Sequence, residues 1–498
     1  MSIGLRKVVK MVTQSGLADI VGAGNVSADP AALDAYAADL SFVGKMRPQF
    51  IVKVDSRETI QKLVVLAKET GTPLVPVSSG GPHFNGDTVP STGGAVIVDL
   101  SGMKKIDLIE PKERVASVVA PGVTFGELIP AVAAKGLRLN MPLAPRSTKS
   151  VVGSMLSREP VIMPRYHWDI ADPIGSTEVV FGTGDMFRTG AAAGPGDIAE
   201  QRAAGGRQKE AAGPSAMSLH RLLQGAQGTL GIVTWASARC ELLPAREQPY
   251  FVGSHDVAKL LEAAHWLIRL RLGNELLILN RVDVAALMAK DDLGYARLIA
   301  KLPPWLLFFN LAAYDYLPDM RMEGQTQDTR ETLQRVGLET MNSIGGIGAG
   351  QFLETIRRPS DEPYWKLRRG GGCQDIFFLT THAKIPGMVK AMTAAADEAG
   401  FPVTKMGIYL QPIVQGTNCH VEFNLFYEPA DPAEARIVRG LATGTIQPLM
   451  NAGAFFSRPF GEASRQIMNR DAASVDALKK FKAIVDPAGI LNPGKLCF

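Results

Sequence analysis

The sequence predicts an α+β protein with more than one hydrophobic core, and three observations lead there. At 498 residues the chain is too long for a single core and suits two or three domains. Segments of helical period alternate with short apolar strands through the first half. Beyond about residue 245 a strand–helix–strand theme occurs twice, as expected of an antiparallel sheet covered by helices on one face.

Taken in order, "SRETIQKLVVLAKETG" (56–71) opens on a capping Ser, places apolar residues at helical spacing and closes on Gly, so it predicts a helix. "PLVPV", "AVIVDL" and "VASVVAP" predict strands, and "TFGELIPAVAAKG" a helix. "TEVVF" and "MFRTG" flank Gly182-Thr183-Gly184-Asp185 as a hairpin, and 231–244 is a long alternating strand. Residues 190–217, rich in Gly, Ala and charge, read either as a surface loop or as an active-site lid or docking loop. In the second half "HDVAKLLEAAHWLIRLRLG", "TRETLQRVG" and "PGMVKAMTAAADEAG" predict helices. "ELLILNR", "WLLFFNLAAYD", "DIFFLTTHAK", "TKMGIYLQPIVQ" and "NCHVEFNLFYEP" predict strands. The tail predicts a short helix stopped by a Pro-Gly turn.

Hydrophobic residues at 46% and charged residues at 20% are globular values, and a net charge of +4 without a dense basic patch argues against nucleic acid as a partner. The 4 cysteines lie far apart without a CxxC pair, which argues against a disulfide framework, a structural zinc or an iron–sulfur cluster within the chain. The N-terminus lacks a signal-peptide pattern and no apolar run is long enough for a membrane span, so a cytoplasmic protein is expected.

One stretch is over-supplied with permissive backbone. "VPVSSGGPHFNGDTVP" (75–90) lies between two strands where a two-residue turn would serve. Consecutive amides freed by glycine-rich turns form a nest that binds anions such as a pyrophosphate. The spacing is neither a Walker A nor a GxGxxG pattern, and an ordinary long loop fits the residues as well.

The series around it is more specific. The helix, strand and loop are followed by "GGAVIVDLSGMKKIDLIEPKERVASVVAPGVTFGEL", "PLAPRSTKSVVGSM", "STEVVFGTGDMFRTG", "GAQGTLGIVT" and the closing "DPAGILNPGKLCF". In this order the motifs resemble the FAD-binding flavoproteins of the vanillyl-alcohol oxidase and p-cresol methylhydroxylase (PCMH) family. The resemblance covers about residues 45–245 and the last twenty or so, and the middle more loosely. It implies a PCMH-type FAD-binding domain of two α+β subdomains over 1–245. A substrate (cap) domain over 246–455 follows, and a C-terminal segment over 456–498 returns to the flavin. It further implies FAD held by the loop Val77–Asn85, His83 included, through the amides of Ser78, Ser79, Gly80 and Gly81. Pro121, Gly122, Val123, Ser150, Gly153 and Ser154 would line the other side, Ile232 the adenine end, with Asn492 and Lys495 returning from the C-terminus.

Three residues are implied for chemistry. Asp169 matches the acid beside the flavin in the phenol-oxidising branch, although it also suits a turn cap, and Asp172 is its local rival. His420 lies on an alternating strand at a place similar to an active-site His, where a structural His is equally expected. Arg458 matches the Arg that pairs with an anionic substrate oxygen. Departures accompany them. The phenolate-binding tyrosines read Asn85 and Ser457, the His that attaches FAD covalently in the cap of relatives reads Asp375, and His83 is offset by one from another covalent His. Non-covalent FAD is therefore expected.

The expected reaction is hydride transfer from a small substrate to flavin N5, with an aromatic alcohol or 4-alkylphenol as substrate. A 2-hydroxy acid of the lactate or glycolate type is the alternative. With no metal cluster of its own, the chain would pass electrons to oxygen or to a cytochrome or iron–sulfur subunit, as a homo- or hetero-oligomer. The Val77 and Ser78 departures from the usual Arg/Gly-rich loop leave a flavin-free scaffold as a third reading.

Overall fold

The structure, a computed structural model, describes residues 12–164, 173–193, 197–203, 219–413 and 416–498. Asp169, Asp172 and much of the 190–217 segment lie outside the described residues. Three main sheets organise the rest.

The first sheet contains β1 (Val26–Ser27), β2 (Phe50–Lys53), β3 (Leu74–Val77) and β4 (Val96–Asp99) in the order β1-β2-β4-β3. Strands β2, β4 and β3 run parallel, which requires a crossover. Helix Arg57–Thr70 supplies it: Ser56 caps its start, Gly71 at φ 66° ends it, and Ile60, Leu63, Val64 and Ala67 bury its apolar stripe. The second sheet is antiparallel, with β5 (Ile106–Glu110), β6 (Val115–Val119), β7 (Leu137–Leu139), β8 (Ile174–Val180), β9 (Met186–Arg188) and β10 (Ile232–Leu242). Its β8–β9 hairpin pairs Val180 with Met186 around Gly184 at φ 94°, as the turn residues predict. One apolar core runs between the two sheets, joining Val52, Val96 and Val98 to Val119, Val179 and Ile232.

The chain end returns to this unit. After helix Ala472–Val485, Leu491 pairs with Leu74, and the Asn492 amide donates to the Leu74 carbonyl at 2.9 Å.

The third sheet holds β11 (Arg246–Ser254), β12 (Leu276–Asn280), β13 (Trp305–Ala313), β16 (Gly372–Thr380), β17 (Met406–Ile413) and β18 (Asn418–Tyr427), in the antiparallel order β11-β13-β12-β17-β18-β16. A small hairpin, β14 (Ser343–Ile344) with β15 (Ile347–Gly348), stands apart. On β18 the residues Cys419, Val421, Phe423 and Leu425 point into the core under helices Val257–Arg269, Pro318–Arg335, Ile385–Glu398 and Pro432–Gly444. The opposite face, which the sequence left open, is covered as well. Helices Arg281–Met288 and Ala349–Ile356 pack there, and Leu143, Ala144 and Ile162 join them from the N-terminal half of the chain. That face is where the third sheet meets the rest of the molecule.

Candidate active site

Two cavities of about 780 Å³ each take in Ser78, Pro121, Gly153, Ile232, Asn85 and Arg458 of the residues singled out from the sequence.

The first lies where β3 ends. Ser78, Pro121, Gly153 and Ile232 line it together with Asp87, Gly228 and Phe460. Past Val77 the ladder stops, and the amides of Ser78, Ser79, Gly80 and Gly81 donate to no protein acceptor among the described residues. The space beside Gly80 and Gly81 is open to at least 4 Å. The rest of the loop is pinned. The Arg146 guanidinium donates to the Gly80 carbonyl at 3.2 Å, the Gly86 amide donates to Asp39 Oδ2 at 2.6 Å, and the His83 carbonyl accepts from Leu40. Across the cleft, Ser150 Oγ donates to the Pro121 carbonyl at 2.6 Å and accepts the Gly153 amide at 2.9 Å, starting helix Val151–Leu156. Gly153 brings the walls together: a Cβ there would stand 2.9 Å from Ser78 Oγ.

Other implied residues brace this cleft from behind. Gly122 has no room for a side chain, since a Cβ would meet the Ser101 carbonyl at 2.5 Å. Val77 and Val123 are core residues, and Ser154 Oγ is engaged by Glu159 at 2.8 Å. Asn492 Nδ2 donates to the carbonyls of Asp87 and Gln227 at 2.9 and 2.7 Å, and Lys495 Nζ to those of Gly86 and Val89 at 2.7 and 2.6 Å. The two thus clamp the far end of the glycine-rich loop. Burial, reinforced by Asp39, pushes the Asp87 carboxyl above its ordinary range. Free amides and close walls fit an FAD pyrophosphate.

The second cavity follows from strand period. Side chains two apart share a face, and the strand registers set Asp375 and Gly407 opposite Asn424, with Phe377 and Tyr409 opposite Glu422. Asp375, Phe377, Tyr409 and Glu422 therefore line one wall. Phe84, Asn85, Arg146, Lys149, Glu159, Tyr364, Lys366 and Arg458 complete the cavity. A neighbouring cavity of about 680 Å³ shares Phe84, Asn85, Asp375, Phe377 and Arg458 and continues past Phe42 to Arg439 and Glu462.

Its charges are ordered. Lys366 Nζ lies 2.6 Å from both Asp375 Oδ2 and Glu422 Oε1, and Asn424 Nδ2 donates to the same two carboxylates at 3.1 and 2.7 Å. Burial alone would lower the Lys366 ammonium, but Asp375 and Glu422 override it and hold it well above its ordinary value. Burial works against the Glu422 carboxylate too, and Lys366 with His420 nevertheless keeps it well below the usual range. Asp375 goes the other way: burial and Glu422 push it up.

His420 lies one layer behind. Its Nε2 is 3.0 Å from Glu422 Oε2, and its ring stacks near Phe377 and Tyr409 without reaching the cavity. Burial lowers its pKa against the pull of Glu422.

Arg458 does line the cavity, 7% exposed, with its Cζ 4.1 Å over the Phe377 ring and one Nη1 bond to the Ser157 carbonyl at 3.2 Å. Among the described residues no carboxylate lies within 4 Å of it. Asn85 faces both cavities and Ser457 neither, while Tyr364 and Tyr409 enter from positions the sequence did not single out. His83 lines neither cavity, and burial, then Arg146, pushes its ring down to about 4.

Sequence reasoning also passed over Lys366, Glu422, Asn424 and Arg146. The His420-x-Glu422-x-Asn424 alternation on an otherwise apolar strand was a readable signal for two of them. Nothing local marks Lys366 or Arg146.

Comparison with known proteins agrees with this geometry. Residues 48–190 match the family model "FAD binding domain", and residues 460–496 match "FAD linked oxidases, C-terminal domain". The chain is 29% identical over 476 residues to the glycolate oxidase subunit GlcD of Bacillus subtilis, covering 93% of this chain and 91% of that one. It is also 29% identical over 240 residues to the 4-cresol dehydrogenase [hydroxylating] flavoprotein subunit of Pseudomonas putida, covering 48% and 43%. The solved structure of p-cresol methylhydroxylase with substrate bound superposes with a TM-score of 0.81 at 19% identity, over 97% of this chain and 96% of that one. The chain thus carries a match to an FAD binding domain and a match to the C-terminal domain of FAD linked oxidases, on the fold of the p-cresol methylhydroxylase structure.

Proposed function

We propose that the protein oxidises a C–H bond of a small anionic aromatic substrate held in the Arg458 cavity, adjacent to an FAD bound non-covalently in the Ser78–Gly153 cleft. When bound, FAD supplies the hydride acceptor at N5. One observation supports the reading above the others: a buried guanidinium with no carboxylate within 4 Å among the described residues lies over an aromatic ring in a cavity walled by Phe84, Tyr364, Phe377 and Tyr409. Burying such a charge is costly until an anion arrives, so the site favours an anionic ligand.

The chain's own residues divide the work as follows. Arg458 orients the substrate through its anion, and the aromatic walls exclude water. Asp375 is the proton acceptor in this reading, because its carboxylate lines both adjoining cavities whereas Glu422 lines one. Lys366 and Asn424 fix its position, and the Glu422–His420 pair fixes Lys366. Asp169 remains a candidate on the sequence resemblance alone.

A 2-hydroxy acid is the second reading, favoured by the glycolate oxidase relative and by the absence of tyrosine at Asn85 and Ser457. Both relatives are named as subunits, which supports electron delivery to a partner protein. Among the described residues no helix is long and apolar enough to cross a membrane. The test is anaerobic mixing of the flavin-loaded protein with 4-alkylphenols, aryl alcohols and 2-hydroxy acids. Flavin bleaching by an aromatic substrate supports the first reading, and bleaching by lactate or glycolate alone supports the second.

A further inference from the structure

We infer that Arg146 is a second anion-binding residue of the same cavity, and that the natural ligand is an aromatic compound with two anionic groups, one at Arg458 and one at Arg146. The inference rests on the cavity being the substrate site. Arg146 is 4% exposed, lines the cavity, and among the described residues has no carboxylate within 4 Å. Its one hydrogen bond to the described residues is Nη1 to the Gly80 carbonyl at 3.2 Å, and its Cζ stands 5.8 Å from the Phe84 ring. A guanidinium has five donors, so most of its capacity stays open to the cavity.

The described lining carries four cations, Arg146, Lys149, Lys366 and Arg458, against three carboxylates, Glu159, Asp375 and Glu422. Lys149 pairs with Glu159, and Lys366 is shared between Asp375 and Glu422. Of these cations the two arginines make no ion pair within 4 Å among the described residues. They are anchored on different segments, Arg146 on the glycine-rich loop and Arg458 on Ser157, and each lies against its own phenylalanine. Two guanidiniums without an ion pair within 4 Å among the described residues, in a cavity lined by Phe84, Tyr364, Phe377 and Tyr409, suit an aromatic ligand with two anionic groups. The pyrophosphate of FAD is the other source of an anion for Arg146, since Gly80 belongs to the loop that cradles it.

The test uses the flavin-loaded protein and two probes that cannot be oxidised, benzoate and benzene-1,4-dicarboxylate, titrated against the flavin spectrum. Wild type is expected to bind the dicarboxylate at least about tenfold more tightly, as one added charge-assisted contact allows. Arg146→Gln should abolish that preference while keeping its benzoate affinity and flavin content, with Arg146→Lys in between. Equal binding of the two probes to wild type overturns the inference. So does an Arg146→Gln protein that loses its flavin, which assigns the residue to the pyrophosphate, or one that keeps the preference. If the dicarboxylate preference holds while no alcohol, phenol or hydroxy acid bleaches the flavin, the proposed reaction fails and the binding assignment stands.

Discussion

The ammonium of Lys366 stands 2.6 Å from the Asp375 carboxylate in the wall of the Arg458 cavity, and at the same distance from Glu422. One buried cation therefore holds two buried acids. Replacing it with an apolar side chain leaves both unanswered. Lys366→Met is expected to lower stability by about 3–5 kcal/mol, read from urea unfolding. A loss under about 1 kcal/mol contradicts this, because the cost comes from stranding a charge rather than from losing a surface pair.

The raised Asp375 carboxyl sets the acid side of the rate profile. A base must be ionised to act, so the rate of flavin reduction should rise with pH through a limb above the carboxyl's ordinary 3.8. Asp375→Asn should lose that limb and slow reduction by about 10²–10⁴-fold, with substrate affinity little changed. An unchanged limb in the variant assigns the base elsewhere.

Arg458 is expected to act through geometry as well as charge. Arg458→Lys keeps the charge but loses the planar stack on Phe377 and the two-pronged grip on an oxyanion. KM should rise by about ten- to a hundredfold while flavin content stays constant. Equal KM values in the two proteins remove Arg458 from the substrate site.

Acid stability should depend on Glu275. Burial opposes its ionisation, but Arg138 and Arg357 dominate and hold it down to about 2. A lowered carboxyl gives stability that is present above its unfolded value of 4.5 and is lost as pH falls toward 2. Glu275→Gln should remove about 3 kcal/mol at pH 7 and flatten the loss of stability between those limits, read from chemical unfolding at several pH values. The pair joins β7 to the cap sheet, so the same variant tests how firmly the two halves are held.

Gly153 tests the flavin cleft. A β-branched side chain there has 2.9 Å to the Ser78 hydroxyl and would fill the gap between the walls. Gly153→Val is expected to fold and purify without flavin absorbance. Full flavin content in that variant contradicts the placement.

Much of this was readable before any coordinates. The helix at 57–70, the β8–β9 hairpin and the alternating strands came from caps, turn residues and period alone. The helix over Pro318–Arg335 was seen only in its last turns, because its first half, "PDMRMEGQTQD", has no apolar stripe to mark it. Ser78, Gly153 and Ile232 were legible through the order of motifs, and Arg458 through its local sequence. Lys366 and Arg146 were not, since their meaning lies in partners 9 to 66 positions away: Asp375, Glu422 and Gly80. His420 shows the opposite case. Strand alternation placed it on the right face, but only the packing shows that Glu422 stands between it and the cavity.

The most direct measurement is the cofactor itself: purify the full chain, identify and quantify any extracted flavin, and add FAD to whatever lacks it. One FAD per chain, released by denaturation without a covalent link, is the expected result. A colourless protein that takes up no added FAD, with Ser78, Gly153 and Ile232 in place, contradicts the assignment of the cleft and the chemistry built on it.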